Sequence, residues 1–260
     1  MKKYFLTASL VAGASMIAAP AMAQATGYVG ASYGQFKGEV SGSDADSNVA
    51  AIEGVVSFPV STGMVIQGGL NYANVDGDFL ETSVLEGSAH LGWKQADWAI
   101  GGYVGLSQNE DADFDTFWYG GEVVKYFNQF SLSGAVAAGS IDDADADLLS
   151  LGGEGRYFVS DNIRLDGRIG WASIDDGSST DIDGFNFGIG GEWKPDNFPV
   201  SFTAAIDRQT IDLLGTDLDL TTMQVGVRFD FGSGTLKARD RSGPSFKTLG
   251  GVSPALGKLF

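Results

Sequence analysis

Cysteine is absent from the 260 residues, so neither a disulfide framework nor thiol chemistry is available to the chain. Proline is scarce, at 6, against 38 glycines and 12% aromatic residues, a balance that excludes collagen-like and disordered chains and suits strands joined by tight turns. Beyond residue 23 no segment approaches the roughly 18 uninterrupted apolar residues that a spanning helix needs. Positive charge is also short: 16 Lys and Arg face 33 Asp and Glu, a formal charge of −17. Such a surface excludes nucleic acid as a partner.

What is present begins with Met1-Lys2-Lys3, an apolar run from Tyr4 to Ala19 and the small-residue site Ala21-Met22-Ala23. These are the three parts of a secretory signal peptide, residues 1–23, with cleavage expected before Gln24. An N-terminal anchor is the competing reading, but the run is short and is broken by Ser9, Ser15 and Pro20.

Residues 24–232 read as stretches of about ten residues with period-two alternation, joined in turn by tight turns and by longer acidic loops. Tight connections such as Trp93–Trp98, Phe127–Phe130 and Trp193–Phe198 carry aromatic residues at their shoulders. The longer ones span 37–47, 75–82, 108–116, 141–147, 174–184 and 207–219 and hold 22 acidic residues against only Lys37 and Arg208. About twelve strands are expected, near 27–36, 48–58, 63–74, 83–93, 97–107, 116–126, 130–140, 148–158, 163–173, 185–194, 200–207 and 220–231. Without a spanning helix, only a closed barrel satisfies every backbone group in lipid. The expected fold is thus all-β, a transmembrane antiparallel up-and-down barrel, with tight turns and both termini on the periplasmic side.

Strand parity sorts the faces. Ile163, Leu165, Ile169 and Trp171 alternate with Arg164, Asp166 and Arg168, and the charged set belongs in a wet lumen because arginine facing mid-bilayer lipid costs roughly 2–4 kcal/mol. A loose repeat, Gly120-Gly121-Glu122, Gly152-Gly153-Glu154 and Gly190-Gly191-Glu192, precedes three of the tight turns, and Glu53 has a similar place. These glutamates face inward, with Arg156, Arg164, Arg168 and Arg228 as expected neighbours. Two readings of them stand: ion pairs that hold the wall, or a charge constriction that selects permeants. Inward Ala99, Gly101, Gly105, Ser107, Ser131, Ser133, Ala135 and Gly139 favour an open passage. Aromatic residues at the two strand ends, Tyr126 and Phe158 among them, read as interfacial girdles.

The most specific local signal lies in the last strand. Gln224, Gly226, Phe229 and Phe231 supply a polar residue, a glycine two later, and two aromatics at alternating positions. In this the chain resembles Gram-negative outer-membrane β-barrel proteins of the porin type. That resemblance implies an outer-membrane location, contact with outer-membrane lipid and lipopolysaccharide, and recognition of this segment by the barrel-assembly machinery. Members usually stop at the terminal aromatic, whereas here a basic, Gly- and Pro-containing tail, 233–260, continues. The tail is expected to be an extended periplasmic segment, with entry into the acidic lumen as a plug the alternative.

Candidate chemistry is sparse. Ser88 and the sole histidine, His90, share a lumenal face on one strand, and a serine–histidine pair on a barrel wall is a hydrolase signal. Lipid esters would not reach the lumen, and no orienting residue lies nearby in sequence, so no catalytic residue and no enzymatic activity is expected. Alternating aspartates such as Asp143, Asp145 and Asp147 suggest weak attraction of divalent cations, but they lack the ordered spacing of an EF-hand. No resident metal or cofactor is therefore expected. The reading taken forward is a passive porin-like channel for small hydrophilic solutes, cation-preferring because acidic loops enrich cations at its mouth. The alternatives are a structural barrel whose acidic loops bind cations or envelope components, and an outer-membrane lipid-modifying enzyme.

Overall fold

The structure is a computed structural model that describes residues 25–40, 43–77, 81–109, 115–142, 146–175, 177, 182–213 and 216–246. Residues 1–24, on which the expected signal peptide falls, most loop tips and the last part of the tail lie outside the described residues. Twelve strands follow one another: β1 (Thr26–Val40), β2 (Ser43–Ser61), β3 (Met64–Gly77), β4 (Thr82–Lys94), β5 (Trp98–Asn109), β6 (Asp115–Tyr126), β7 (Phe130–Ile141), β8 (Ala146–Ser160), β9 (Ile163–Asp175), β10 (Ile182–Trp193), β11 (Val200–Leu213) and β12 (Thr216–Phe231). Each pairs antiparallel with its sequence neighbour, and β1 closes the barrel on β12 with Gly27 opposite Phe231 and Val40 opposite Leu218. Closure removes both sheet edges, as a barrel in lipid requires.

Period two sets the two faces. Val29, Leu91, Ile100, Leu132, Ile169 and Val225 are among the large apolar side chains left exposed on the outside. A continuous apolar exterior of this kind is tolerated in lipid and not in water. Trp93, Trp98, Phe130, Tyr157, Trp193 and Phe202 ring the tight-turn end of this surface, and Tyr72, Phe117, Trp171, Phe185 and Phe187 the loop end. Tyr126 and Phe158 depart from the girdle reading: both are buried inside the barrel, as strand parity beside exposed Tyr157 requires.

The strands reach further than the hydrophobic pattern. β1 and β2 keep their ladder to the Val40–Ser43 pair, and β11 and β12 to Leu213–Thr216, through segments expected as acidic loops. Outside the apolar belt an outward acidic residue meets water at no desolvation cost, so charge there does not mark the end of a strand. Inside this loop-end portion the apolar side chains of Phe36, Val49, Val75, Val84, Ile211 and Leu220 are buried together with polar Ser47, Thr82, Asn109 and Gln209.

At the opposite end residues 233–246 turn back into the barrel. Gly232 adopts φ +74°, and a Cβ there would lie 2.1 Å from the Ala25 carbonyl oxygen, so glycine is required for the reversal. A short helix follows, α1 (Leu236–Ser242), with Thr235 as N-cap accepting from the Ala238 amide. Leu236, Arg239, Asp240, Ser245 and Phe246 are buried. The extended-tail expectation thus fails for 233–246, which stopper the tight-turn mouth.

Candidate functional site

The lumen is a stack of three layers: a loop-end wall of mixed apolar and polar side chains, a charged middle, and the tail. A cavity of about 360 Å³ occupies the middle, lined by Glu53, Glu122, Glu154, Arg156, Arg164, Asp166, Arg168 and Arg228, with Glu86, Asn71, Ser88 and Asp207 among the other lining residues. Eight of the nine sequence-derived lumenal charges therefore border one space, and Glu192 is joined to it through its arginine partners.

Partner choice differs from simple Glu–Arg neighbours. Glu192 receives Arg164 at 3.2 Å, Arg228 at 3.0 Å and Arg239 of the tail at 2.5 Å, and the Ser201 hydroxyl at 2.5 Å. Arg228 also holds Glu53 at 2.6 Å. Arg156 joins Glu154 at 2.7 Å to Asp240 of the tail at 2.6 Å. Arg164 meets Asp166 at 2.7 Å. Arg168 turns instead to Asp207, which receives both Nε and Nη2 at 2.5 Å. Asp207 was expected at the edge of an outer loop; the alternation Thr203, Ala205, Asp207 against Phe202, Ala204, Ile206 is the signal that places it inside. Glu122 pairs with a histidine: the His90 Nδ1 lies 2.6 Å from its Oε1. The inward glutamates are consequently paired charges, with arginines concentrated on β8, β9 and β12.

Tail contacts were not legible residue by residue. Arg239 is bonded to Asp230 as well as to Glu192, and its guanidinium lies 4.9 Å from the Tyr28 ring centroid. Ser131 donates to Asp240 at 2.6 Å, Lys94 donates to the Gly243 carbonyl at 2.7 Å, and Tyr126 meets Ser245 at 2.8 Å. Gln67 holds the Phe246 backbone from both sides, donating to its carbonyl at 2.7 Å and accepting from its amide at 3.3 Å. Burial alone would raise the Asp240 carboxyl, but Arg156 and Ser131 hold it below the usual carboxylate range.

The small inward residues do not leave an open passage. Phe246 fills the space above Gly92 and Gly101, while Trp118 fills that beside Gly105 and Gly139. Tyr103, Trp118 and Ala137 form a buried cluster on the wall.

The last-strand signature has both faces. Gln224 lines the cavity, Gly226 lies between Ser32 and Thr203, Phe229 is exposed outward, and the Phe231 ring lies over Gly27. Among the described residues no group of three His, Cys, Asp or Glu could hold a metal ion; the acidic loop tips are largely outside them.

No family model matches the sequence, and no curated protein matches it. Solved structures share its fold. An outer-membrane channel from Pseudomonas putida F1 superposes with a TM-score of 0.60 at 14% identity, covering 79% of this chain and 96% of that one. The KdgM porin, solved in complex with disordered oligogalacturonate, gives 0.51 at 10% identity over 78% and 99%. The β domain of the Bordetella autotransporter BrkA gives 0.51 at 14% identity over 80% and 100%. What is common to all is the closed outer-membrane β-barrel, and the apolar exterior of this chain fits that setting.

Proposed function

We propose that the protein is an outer-membrane channel for small hydrophilic solutes, cation-preferring, with residues 233–246 as a stopper in its periplasmic mouth. The observation that carries this reading is the charged cavity in the middle of a membrane barrel: a wall built only for stability would fill that space with apolar side chains, since buried ion pairs contribute little net stability. Acidic residues at the loop end, Asp115, Asp147, Asp183, Asp212 and Asp217 among them, raise local cation concentration and disfavour anions there. Glu53, which Arg228 holds at 2.6 Å, and Glu86 line the same cavity and add to that preference. The barrel-assembly machinery reads the last strand, and lipopolysaccharide with divalent cations meets the acidic loops.

Three of the wall charges that the stopper engages keep another partner: Glu192 retains Arg164, Arg228 and Ser201, Asp230 retains Lys194 at 3.3 Å, and Arg156 retains Glu154. Lys94 gives up the Gly243 carbonyl when the tail leaves. Reversal potentials of the channel in a planar bilayer under a KCl gradient test the selectivity. A cation-selective potential that shrinks in Glu53→Gln and Glu86→Gln supports the reading, and an anion-selective one contradicts it.

One feature favours the structural barrel as a second reading: the tail stoppers the tight-turn mouth, and charges of the middle layer are paired across the wall. In that case deletion of the tail opens nothing, and the acidic loops are the working surface.

A further inference from the structure

Across β4, β5 and β6 the structure assembles what the sequence kept apart. His90 on β4 places Nδ1 2.6 Å from Glu122 Oε1 on β6, and its Nε2 lies 3.3 Å from the Ser88 Oγ. His90 and Glu122 are buried, at 2% and 5% exposure. An ionised carboxylate only accepts, so the Nδ1 carries the proton. In the neutral ring the Nε2 then holds a lone pair toward the serine hydroxyl, which is the arrangement of nucleophile, base and orienting acid in serine hydrolases.

Ser88 lines the cavity, which supplies the space for a reactant. The register partners of Ser88 on the two adjacent strands are Gly69, covered by the Ser88 hydroxyl, and Gly105, covered by the Trp118 indole. A Cβ on Gly69 would lie 2.9 Å from the Ser88 Oγ, and one on Gly105 would lie 2.3 Å from the Trp118 indole nitrogen. That indole N–H is buried and has no hydrogen-bond partner among the described residues. A buried donor left unpaired costs about 1–3 kcal/mol, and this one stands beside the glycine that faces Ser88. On the far side Tyr103 and Phe246 flank the imidazole with ring centroids at 5.3 and 6.1 Å, which fixes its plane.

We propose that Ser88, His90, Glu122 and Trp118 form a hydrolytic site for short, water-soluble carboxylic esters that enter the lumen. Lipid esters are not the substrate, because the site opens on the charged cavity and not on the apolar exterior. Ser88 Oγ attacks the ester carbonyl carbon as His90 Nε2 takes its proton. The Trp118 N–H donates to the developing oxyanion. The carbon–alkoxy bond breaks, and the proton on Nε2 passes to the departing alcohol. Water then attacks the acyl-serine while Nε2 takes its proton; the carboxylic acid leaves and Ser88 is reprotonated. One ester and one water give one acid and one alcohol. Glu122 is a positioning residue, acting through the tautomer of His90. The site requires access by a small solute and no net conduction, so it stands whether or not the barrel passes ions.

The experiment uses the full chain refolded in detergent micelles, with folding of every variant checked by heat-modifiable electrophoretic mobility. With p-nitrophenyl acetate as probe, saturable hydrolysis is expected. Ser88→Ala and His90→Ala should lower kcat by on the order of 10³-fold or more, and Trp118→Phe by on the order of 10²-fold. Glu122→Gln should lower kcat with KM unchanged, and Glu122→Asp should restore part of it. An alkyl fluorophosphonate should label the wild-type chain on Ser88, as read by peptide mass mapping, a result independent of whether any variant folds. Hydrolysis by wild type no faster than by Ser88→Ala, or a phosphonate adduct on another residue, overturns the proposal.

Discussion

At the scale of single residues the lumen is governed by how each buried charge is matched. Glu192 sits among three guanidiniums with its side chain fully buried, so Glu192→Gln removes the one carboxylate that all three share. Removing one partner of a buried ion pair costs about 3–5 kcal/mol, and a matching fall in the urea-unfolding free energy of micelle-bound protein is expected; a change under about 1 kcal/mol would contradict the assignment. Asp240 sets the pH response of the stopper. Its carboxyl is held below the ordinary value of about 3.9 when docked, by Arg156 and Ser131 acting against burial. Ionised Asp240 therefore stabilises docking at every pH above the undocked value, and the contribution fades as pH falls through the docked one. The chain has no cysteine, so Ser242→Cys bearing an environment-sensitive dye reports the tail alone. Its emission should stay constant from pH 8 to about 4 and change below; a transition above about pH 5 would contradict this. Parity was enough to put Glu53, Glu122, Glu154, Glu192 and the four arginines inside, because it needs only the strand. It could not choose partners: His90 and Glu122 stand 32 residues apart and meet across β5, and Arg168 prefers Asp207 on a strand two places further round.

At the scale of elements, the twelve strands were legible because a membrane barrel writes its two faces in alternate residues. Their loop ends were not, since the alternation of apolar and polar side chains stops where the lipid stops while the ladder continues. Helix α1 was hidden for a different reason: seven residues are too few to show a 3.6-residue period, and such a segment is helical through its Thr235 cap and its docking. The middle of β9 tests the face assignment. Ile169→Arg places a charge on the lipid side beside Arg168, which is native to the lumenal side, and should cost about 2–4 kcal/mol in unfolding from lipid vesicles. A neutral result would mean that this face does not meet lipid. Gly92 tests the fit of tail to wall: a Cβ there would lie 2.4 Å from the Phe246 ring. Gly92→Ala should displace that ring and loosen the tail, read as dye release in the Ser242→Cys background at neutral pH. An unchanged signal would show that Phe246 is not an anchor.

At the scale of the whole molecule the acidic character lies at the loop end and the basic tail is drawn into the opposite mouth, so the chain neutralises part of its own lumen. Composition announced the charge, and the last strand announced the class of barrel. That the tail turns back depends on one glycine with positive φ and on pairings with Glu192, Asp230 and Arg156, none of which has a local sequence signature. A passage through the barrel that the tail stops has a simple electrical consequence. The most direct measurement is single-channel conductance in a planar bilayer, comparing the full chain from Gln24 with one ending at Phe231, both verified as folded. Rare or no openings are expected from the full chain at neutral pH, and steady cation-selective steps from the shortened one. Silence from both would contradict such a passage and leave the structural barrel.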